Sequence, residues 1–552
     1  VQKPLVGLSR RNLLRELTAG VTLLAIAIPL NIGYAQIAGL PATAGLYALI
    51  VPTVIYALTV SSRQLVASPD AAAAALVASS LGGLAVAGSA DYSTLALAQA
   101  ILGGVMFLLL AFFKLGFLAN FLSKPILVGF VGGLALDILI SQIAKMLGVK
   151  IDSGGEFVDK VAGLVTGLPG LNWWSVAISV VAVAVLLLGK RFAGAVPWAL
   201  VVMILATVVV LVWHLDEAGV AVLGEVPAGP PAITWPIIDW TMWLALIPSA
   251  MALTLVTTAE GLLVSRSYGE KNGYRTSPNR DLFAFGVGNI AAGASGSFTF
   301  GSSTSRTAAM DQAGSRTQLP SLVLAAGTLL LLLFGTALLA DIPSPAIGAI
   351  VGVAILPLLG IREFRELWHA DRFEFLIGAA CFLVTLFVGS IPGILVAFVL
   401  ALLNLAKRAA NPAIDVLQAT GEPGDSLLDG AAKGQVTAPG VIVVRLAAPL
   451  FFANGSVFSD AVKRAVRAAD GEVRHVVVDM EAVTDIDVTG AESFEALLTW
   501  LEREGIDLSF SRVRPDAVRR LEQLDLLGDR ARYVTNREAI AAIAGERPED
   551  EE

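Results

Sequence analysis

The chain has 552 residues, of which 56% are hydrophobic and 15% charged, and 38 Lys/Arg stand against 46 Asp/Glu for a formal net charge of −8. An ordinary soluble domain carries about a quarter charged residues, so a single soluble globule is excluded, as is a disordered chain. Cys381 is the one cysteine, and His214, His369 and His475 lie far apart, so neither a disulfide scaffold nor a metal cluster is legible from spacing.

The average conceals two compositions. Residues 1–439 carry 24 Lys/Arg and 24 Asp/Glu, whereas residues 440–552 carry 14 and 22, so the whole charge excess sits at the C-terminal end. The first part reads as lipid-embedded and the second as soluble. The first long apolar segment lacks signal-peptide features and is expected to be retained.

Apolar runs of spanning length recur at 17–36, 43–60, 94–113, 120–143, 173–189, 195–214, 243–265, 281–295, 318–340, 345–360, 373–389 and 391–407. A hydrocarbon core takes about 20 residues of helix. Two shorter, more polar segments, 70–84 and 304–315, bring the expected number of crossings to fourteen. The loop charges support that count. Arg10, Arg11 and Arg15, then Arg63, Lys114 and Lys124, Lys190 and Arg191, Arg266 to Arg280, Arg316, Arg362 to Arg372, and Lys407 and Arg408 fall on one side. The opposite side has no cations at 85–93, 215–242 or 341–344, and its exceptions are Lys150 and Lys160. Cationic loops stay cytoplasmic, so both ends are expected inside the cell membrane and the number of crossings is even.

The third and tenth crossings are both short and polar, which makes the chain two seven-helix repeats of opposite orientation. Interrupted helices at equivalent places in inverted repeats point to a binding site at the membrane midplane. In the first, Ser68-Pro69-Asp70-Ala71 combines capping side chains with a proline suited to a helix start, and alanines follow. In the second, Ser302-Ser303-Thr304-Ser305-Arg306 repeats the cap chemistry. By topology the two N-termini face each other, each with unpaired amides and a partial positive charge, which is an anion site made of backbone. Arg306 adds a full positive charge in a first helical turn, where a cation is unfavourable unless an anion offsets it.

Glu260 lies in the middle of the eighth crossing, where a carboxylate is paired, protonated or exposed to a cavity. It is read as a proton acceptor, with an ion pair to Arg306 as the structural alternative. Val256 one turn earlier supplies no second carboxylate, which favours a proton over sodium. Asp137, in the fifth crossing, is expected either to line a cavity or to pair with a neighbouring helix, and Asp311 is expected to find a cationic partner such as Arg316. Asn31, Tyr34 and Gln36 are polar positions of the first crossing, and Gln36 is expected to hold helices together.

Several stretches resemble the sulfate permease family of anion transporters. Ser305-Arg306-Thr307 with Gly314-Ser315-Arg316-Thr317-Gln318 is similar to its tenth-helix signature. Pro278-Asn279-Arg280-Asp281-Leu282, Ile37-Ala38-Gly39-Leu40-Pro41 and Gly45-Leu46-Tyr47 resemble further family motifs, and the C-terminal part resembles its STAS domain. The resemblance implies a polytopic α-helical membrane fold of two inverted seven-helix repeats, with a core of helices 1–4 and 8–11 moving against a gate. It also implies a small cytoplasmic α/β domain and a homodimer. Carried over, the anion site comprises Leu30, Tyr34, Asp70, Ala71, Thr304, Ser305 and Arg306, with Glu260 as the proton-coupling acid. The family often has Gln where Leu30 follows Pro29, which slightly favours an anion with an apolar middle.

The expected domains are a transporter over 1–408 (repeats about 16–214 and 243–408), a linker at 409–439, a STAS domain over 440–545 and an acidic tail at 546–552. In the soluble part, strands at 441–446, 475–480 and 508–511 alternate with helices, as in an α/β sheet domain. Thr489, in the loop Thr484–Gly490, is read as a helix cap rather than a phosphorylation site. No enzyme motif, cofactor, metal or nucleic-acid partner is expected. The expected function is proton-coupled symport of a small anion, either sulfate, bicarbonate or a dicarboxylate such as fumarate, by alternating access. An anion channel, a sodium-coupled symporter and a membrane sensor are the competing readings.

Overall fold

The computed structural model describes residues 5–10, 12–116, 124–151, 156–192, 196–418 and 434–544. Arg11, residues 419–433 of the predicted linker and the acidic tail lie outside the described residues. The chain divides into two compact units, Val1–Ala401 and Leu402–Glu552.

The first unit is helical. Its first half comprises α1 (Leu13–Ile37), α2 (Ala42–Ala48), α3 (Val51–Thr59), α4 (Ala71–Leu81), α5 (Ala90–Phe112), α6 (Lys124–Leu147), α7 (Phe157–Gly167), α8 (Trp173–Phe192) and α9 (Trp198–Trp213). Its second half comprises α10 (Trp240–Lys271), α11 (Pro278–Ala294), α12 (Thr304–Gln312), α13 (Leu319–Phe334), α14 (Ser344–Ile355), α15 (Ile361–Ala370), α16 (Arg372–Phe387) and α17 (Ser390–Ala410), the last of which runs on into the second unit. Each segment read as a crossing carries a helix. Among the described residues, six spans are long and apolar enough to cross a bilayer on their own: 13–37, 42–59, 90–112, 124–147, 240–271 and 344–370. A further candidate, Phe157–Gly170 with Trp173–Gly189, is bent by 116° at its break. Helices α7 and α15 were not anticipated. Both are short, and they occupy corresponding places in the two halves.

Packing follows the repeat. Helix α1 packs on α13 as α10 packs on α5, α3 packs on α13 as α11 packs on α5, and α6 packs on α16 as α14 packs on α8. Exchanging the two halves turns the first member of each comparison into the second. One set of contacts gathers α1–α5 with α10–α13, and the other gathers α6, α8 and α9 with α14 and α16. The two sets meet where α1 touches α9 and α14, and where α4 touches α6. At Gly33 a Cβ would come within 2.3 Å of Val351, so α1 and α14 approach as closely as they do only because this residue has no side chain.

Two very short strands join the halves. Strand β1 (Ala67–Ser68) precedes α4, β2 (Gly301–Ser302) precedes α12, and they pair antiparallel with Ala67 opposite Ser302 and Ser68 opposite Gly301. This pairing brings the starts of both broken helices to one place.

The second unit is a five-stranded sheet in the order β3 (Ile414–Val416), β4 (Val441–Leu446), β5 (His475–Asp479), β6 (Asp507–Ser511) and β7 (Arg532–Tyr533). All neighbours run parallel except β3, which pairs antiparallel on the edge. Strand β3 lies within the segment read as linker, because Ile414 and Val416 turn apolar side chains to the sheet core. Helices α18 (Gly455–Ala468), α19 (Val488–Arg503) and α20 (Pro515–Gln523) supply Phe458, Phe494 and Leu521 to one face. On the other face, α21 (Asn536–Ala544) supplies Ala539. The cap of α19 corrects the reading of Thr489. The capping residue is Asp487, whose extended backbone lets its carboxylate accept from the Gly490 amide at 2.7 Å. Thr489 instead lies inside the first turn.

Candidate functional site

The two short helices begin side by side, each with a side-chain cap. The Asp70 carboxylate accepts from the Ala73 amide at 2.7 Å, and the Ser303 hydroxyl accepts from the Arg306 amide at 3.4 Å. Ala71 starts α4 and Thr304 starts α12, so the donor-rich ends of both helices lie on either side of the β1–β2 pair. Gly301 allows this closeness, because a Cβ there would come within 3.0 Å of the Asp70 carboxylate and 3.1 Å of the Thr257 hydroxyl.

Arg306 is 1% exposed and links the two halves. It donates from Nη2 to the Pro69 carbonyl at 2.6 Å and from Nε to the Ser303 hydroxyl at 2.8 Å, and its guanidinium lies 5.7 Å from the centre of the Tyr34 ring. Nη1 is buried and makes no hydrogen bond among the described residues. The hydroxyls of Ser68, Thr258 and Ser302 are likewise buried and unpartnered. Buried polar groups normally have partners, so this cluster has unused capacity to donate to a ligand. Leu30 and Tyr34 are buried on α1 and belong to the same cluster as Ala71, while Thr304 and Ser305 are exposed. Of the predicted residues, Asp70, Ala71, Thr304, Ser305 and Arg306 therefore lie at this crossing of the two short helices, with Tyr34 against Arg306 and Leu30 one turn earlier on α1.

Glu260 is partly buried on α10, one turn past Thr257. It makes no ion pair or hydrogen bond among the described residues, so the alternative pairing with Arg306 does not occur. A cavity of about 720 Å³ approaches from the side of the cationic loops, lined by Lys114, Ala259, Leu262, Arg266, Tyr274 and Arg275. Ala259 directly precedes Glu260, whereas Asp70, Ser305 and Arg306 do not line this cavity.

Two other carboxylates of the membrane unit are engaged in ion pairs. Asp311 pairs with Arg316 at 3.0 Å and with Lys271 at 2.6 Å. Asp137 accepts Lys160 at 2.7 Å, which also accounts for the cation on the cation-poor side. Sequence reasoning gives Glu16 no role, and gives Asp281 none beyond its place in the Pro278–Leu282 motif. Glu16 is buried and accepts from the Ser315 hydroxyl at 2.7 Å and the Arg316 amide at 2.8 Å. Asp281 accepts from the Ser61 amide at 2.8 Å and from the Ser61 and Ser265 hydroxyls at 2.7 and 2.5 Å. Both are carboxylates in apolar segments, the same signal that singled out Glu260, but their partners are distant in sequence.

The sequence profile described as the sulfate permease family matches residues 13–381, and that of the STAS domain matches residues 435–535. The chain belongs to the sulfate permease family. The probable sulfate transporter Rv1739c of Mycobacterium tuberculosis is 35% identical over 97% of this chain and 96% of its own length. The chloroplastic sulfate transporter 4.1 of Arabidopsis thaliana is 28% identical over 95% of this chain and 79% of its own. Among solved structures, the murine Slc26a9 anion transporter in its inward-facing state superposes with a TM-score of 0.86 at 20% identity, covering 98% of this chain and 92% of that one. The transmembrane domain of the cyanobacterial bicarbonate transporter BicA gives 0.61 at 22% identity, covering 71% and 98%. The sulfate permease fold is thus a membrane-spanning helical unit followed by a STAS domain. The chain is a multi-pass membrane anion transporter and not an enzyme.

Proposed function

We propose that this sulfate permease carries a small anion inward together with a proton by alternating access, with sulfate as its leading substrate. The observation that carries the reading is the buried, unpaired Nη1 of Arg306 where two helix N-termini meet. Amides, hydroxyls and a guanidinium then all offer donors to one negative solute. Glu260 is the proton-coupling acid in this reading. It lacks an ionic or hydrogen-bonding partner among the described residues, and Ala259 beside it lines the 720 Å³ cavity. A proton taken up on Glu260 offsets the charge of the bound anion, so inward movement of the anion is favoured when the outside is acidic. The likeness to a probable sulfate transporter supports sulfate, and bicarbonate and fumarate are the competing substrates. Leu30 in the site is the observation that keeps fumarate in view.

The reading further places fourteen crossings in the plasma membrane, with both termini cytoplasmic, and pairs the chain as a homodimer. The cationic loops support this orientation. The test is uptake of labelled sulfate, bicarbonate and fumarate into proteoliposomes, with and without an inward proton gradient. Sulfate uptake is expected to rise with the gradient, and the rise is expected to disappear in Glu260→Gln. Uptake indifferent to the gradient, or an active Glu260→Gln that keeps the dependence, would rule out proton coupling through this residue.

A further inference from the structure

A second polar cluster lies one helical turn along α4 from the crossing. A pocket of about 20 Å³ is lined there by Gln36, Ala75, Asp137, Gln142, Lys145 and Lys160. Helix α4 leads from the crossing towards the cation-poor side, and Gln36 and Lys145 are near the ends of α1 and α6 on that same side. The cluster is therefore on the outer side of the crossing, opposite the 720 Å³ cavity.

The charges in the cluster do not balance. Lys160 is 7% exposed and donates to both oxygens of Asp137 at 2.7 and 3.0 Å, so these two groups neutralise each other. Lys145 is partly buried and, among the described residues, donates only to the amide oxygen of Gln36, at 3.0 Å. Gln142 is 1% exposed, and among the described residues neither its Oε1 nor its Nε2 has a partner. The cluster thus holds one uncompensated ammonium and one unpaired buried amide around a space that fits a single water-sized group. A cation held away from bulk water with one neutral acceptor is costly unless an anion joins it.

The Lys145–Gln36 bond also bridges the two packing sets, since α6 belongs to one and α1 to the other. We propose that this pocket is an outer anion site on the entry path of the transported anion. With the two sets apart on the outer face, Lys145 and Gln142 receive the anion before it passes to the crossing. With them closed, Gln36 occupies the Lys145 ammonium and seals the path. The inference rests on the transport reading above but assigns residues outside that site.

The test compares the two sides of the membrane. In oriented proteoliposomes, Lys145→Gln is expected to raise the KM for external labelled sulfate about tenfold, as loss of a charged hydrogen bond does, while the KM for internal sulfate changes less than about twofold. Lys145→Arg is expected to restore the external KM. Gln142→Leu is read in parallel, because it removes the amide without removing a charge, and is expected to shift the external KM in the same direction. An unchanged external KM in both variants, or equal losses on the two sides, overturns the proposal. A wild-type protein that takes up none of the three anions would instead overturn the transport reading itself, which is a different result.

Discussion

Two buried clusters in this protein contain arginine and an aspartate, and they are built to opposite ends. In the STAS domain, Asp479 is fully buried at the end of β5 and its carboxylate is saturated. It accepts from Arg445 at 2.8 Å, from Arg512 at 3.1 and 2.8 Å, from Asn536 at 3.1 Å and from the Glu481 amide at 3.2 Å. In the membrane unit, Arg306 is equally buried but keeps one nitrogen unpaired and shares its cluster with three unpartnered hydroxyls. A saturated charge network holds a fold together and has nothing left to give a ligand. An unsaturated one is a poor brace and a good receptor.

Removing the carboxylate from the saturated cluster should have the largest effect on stability. Asp479→Ala removes the acceptor shared by Arg445, Arg512 and Asn536 and is expected to cost about 3 kcal/mol, seen as an early transition in thermal denaturation of the whole protein. If the melting curve did not change, the network would not be structural. Acid should act through the same group. Burial alone would raise the Asp479 carboxyl, but the donors from Arg512, Arg445 and Asn536 outweigh it and hold it below the ordinary carboxylate range. Its stabilisation is therefore complete above the unfolded value of about 4 and is lost only as pH falls through the folded value. Fluorescence-monitored acid unfolding of the STAS domain should show no loss from this group between about pH 5 and 8, and a loss in that window would contradict the assignment.

The unsaturated cluster should respond in binding instead. Arg306→Ala is expected to weaken anion binding by about 1.5–3 kcal/mol, measured by equilibrium binding of labelled sulfate, with a smaller change in melting temperature than Asp479→Ala produces. The reverse order of effects would make Arg306 the brace and erase the contrast. The smallest expected effect separates two neighbours in the STAS domain. Asp487→Ala should cost about 1 kcal/mol through loss of the α19 cap, whereas Thr489→Ala should stay within about 0.5 kcal/mol. Equal effects would mean that the cap geometry does not govern this helix.

Much of this was legible in the sequence because it depends on local properties. Apolar runs placed the helices, the two polar short segments marked the broken ones, and Asp70 and Arg306 stood out as charges in apolar surroundings. The misreadings have local causes too. Thr489 and Asp487 are both competent caps two residues apart, and only backbone conformation chooses between them. Strand β3 is illegible as a strand because three residues among Ala, Pro and Gly give too short a pattern, and its partner Leu446 lies 32 positions away from Ile414. Helices α7 and α15 are too short to register as spans and too polar to register as core.

The amino-acid sequence by itself determined which segments prefer lipid, where helices must break and which residues carry charge into the membrane, since hydropathy and capping act over a few residues. Only the tertiary structure decided which of those charges are satisfied. Arg306 meets the Pro69 carbonyl across 237 positions, and Asp281 meets Ser61 across 220. Whether a buried group is a brace or a receptor depends on such partners, and a hydrogen bond acts over about 3 Å of space irrespective of the distance along the chain.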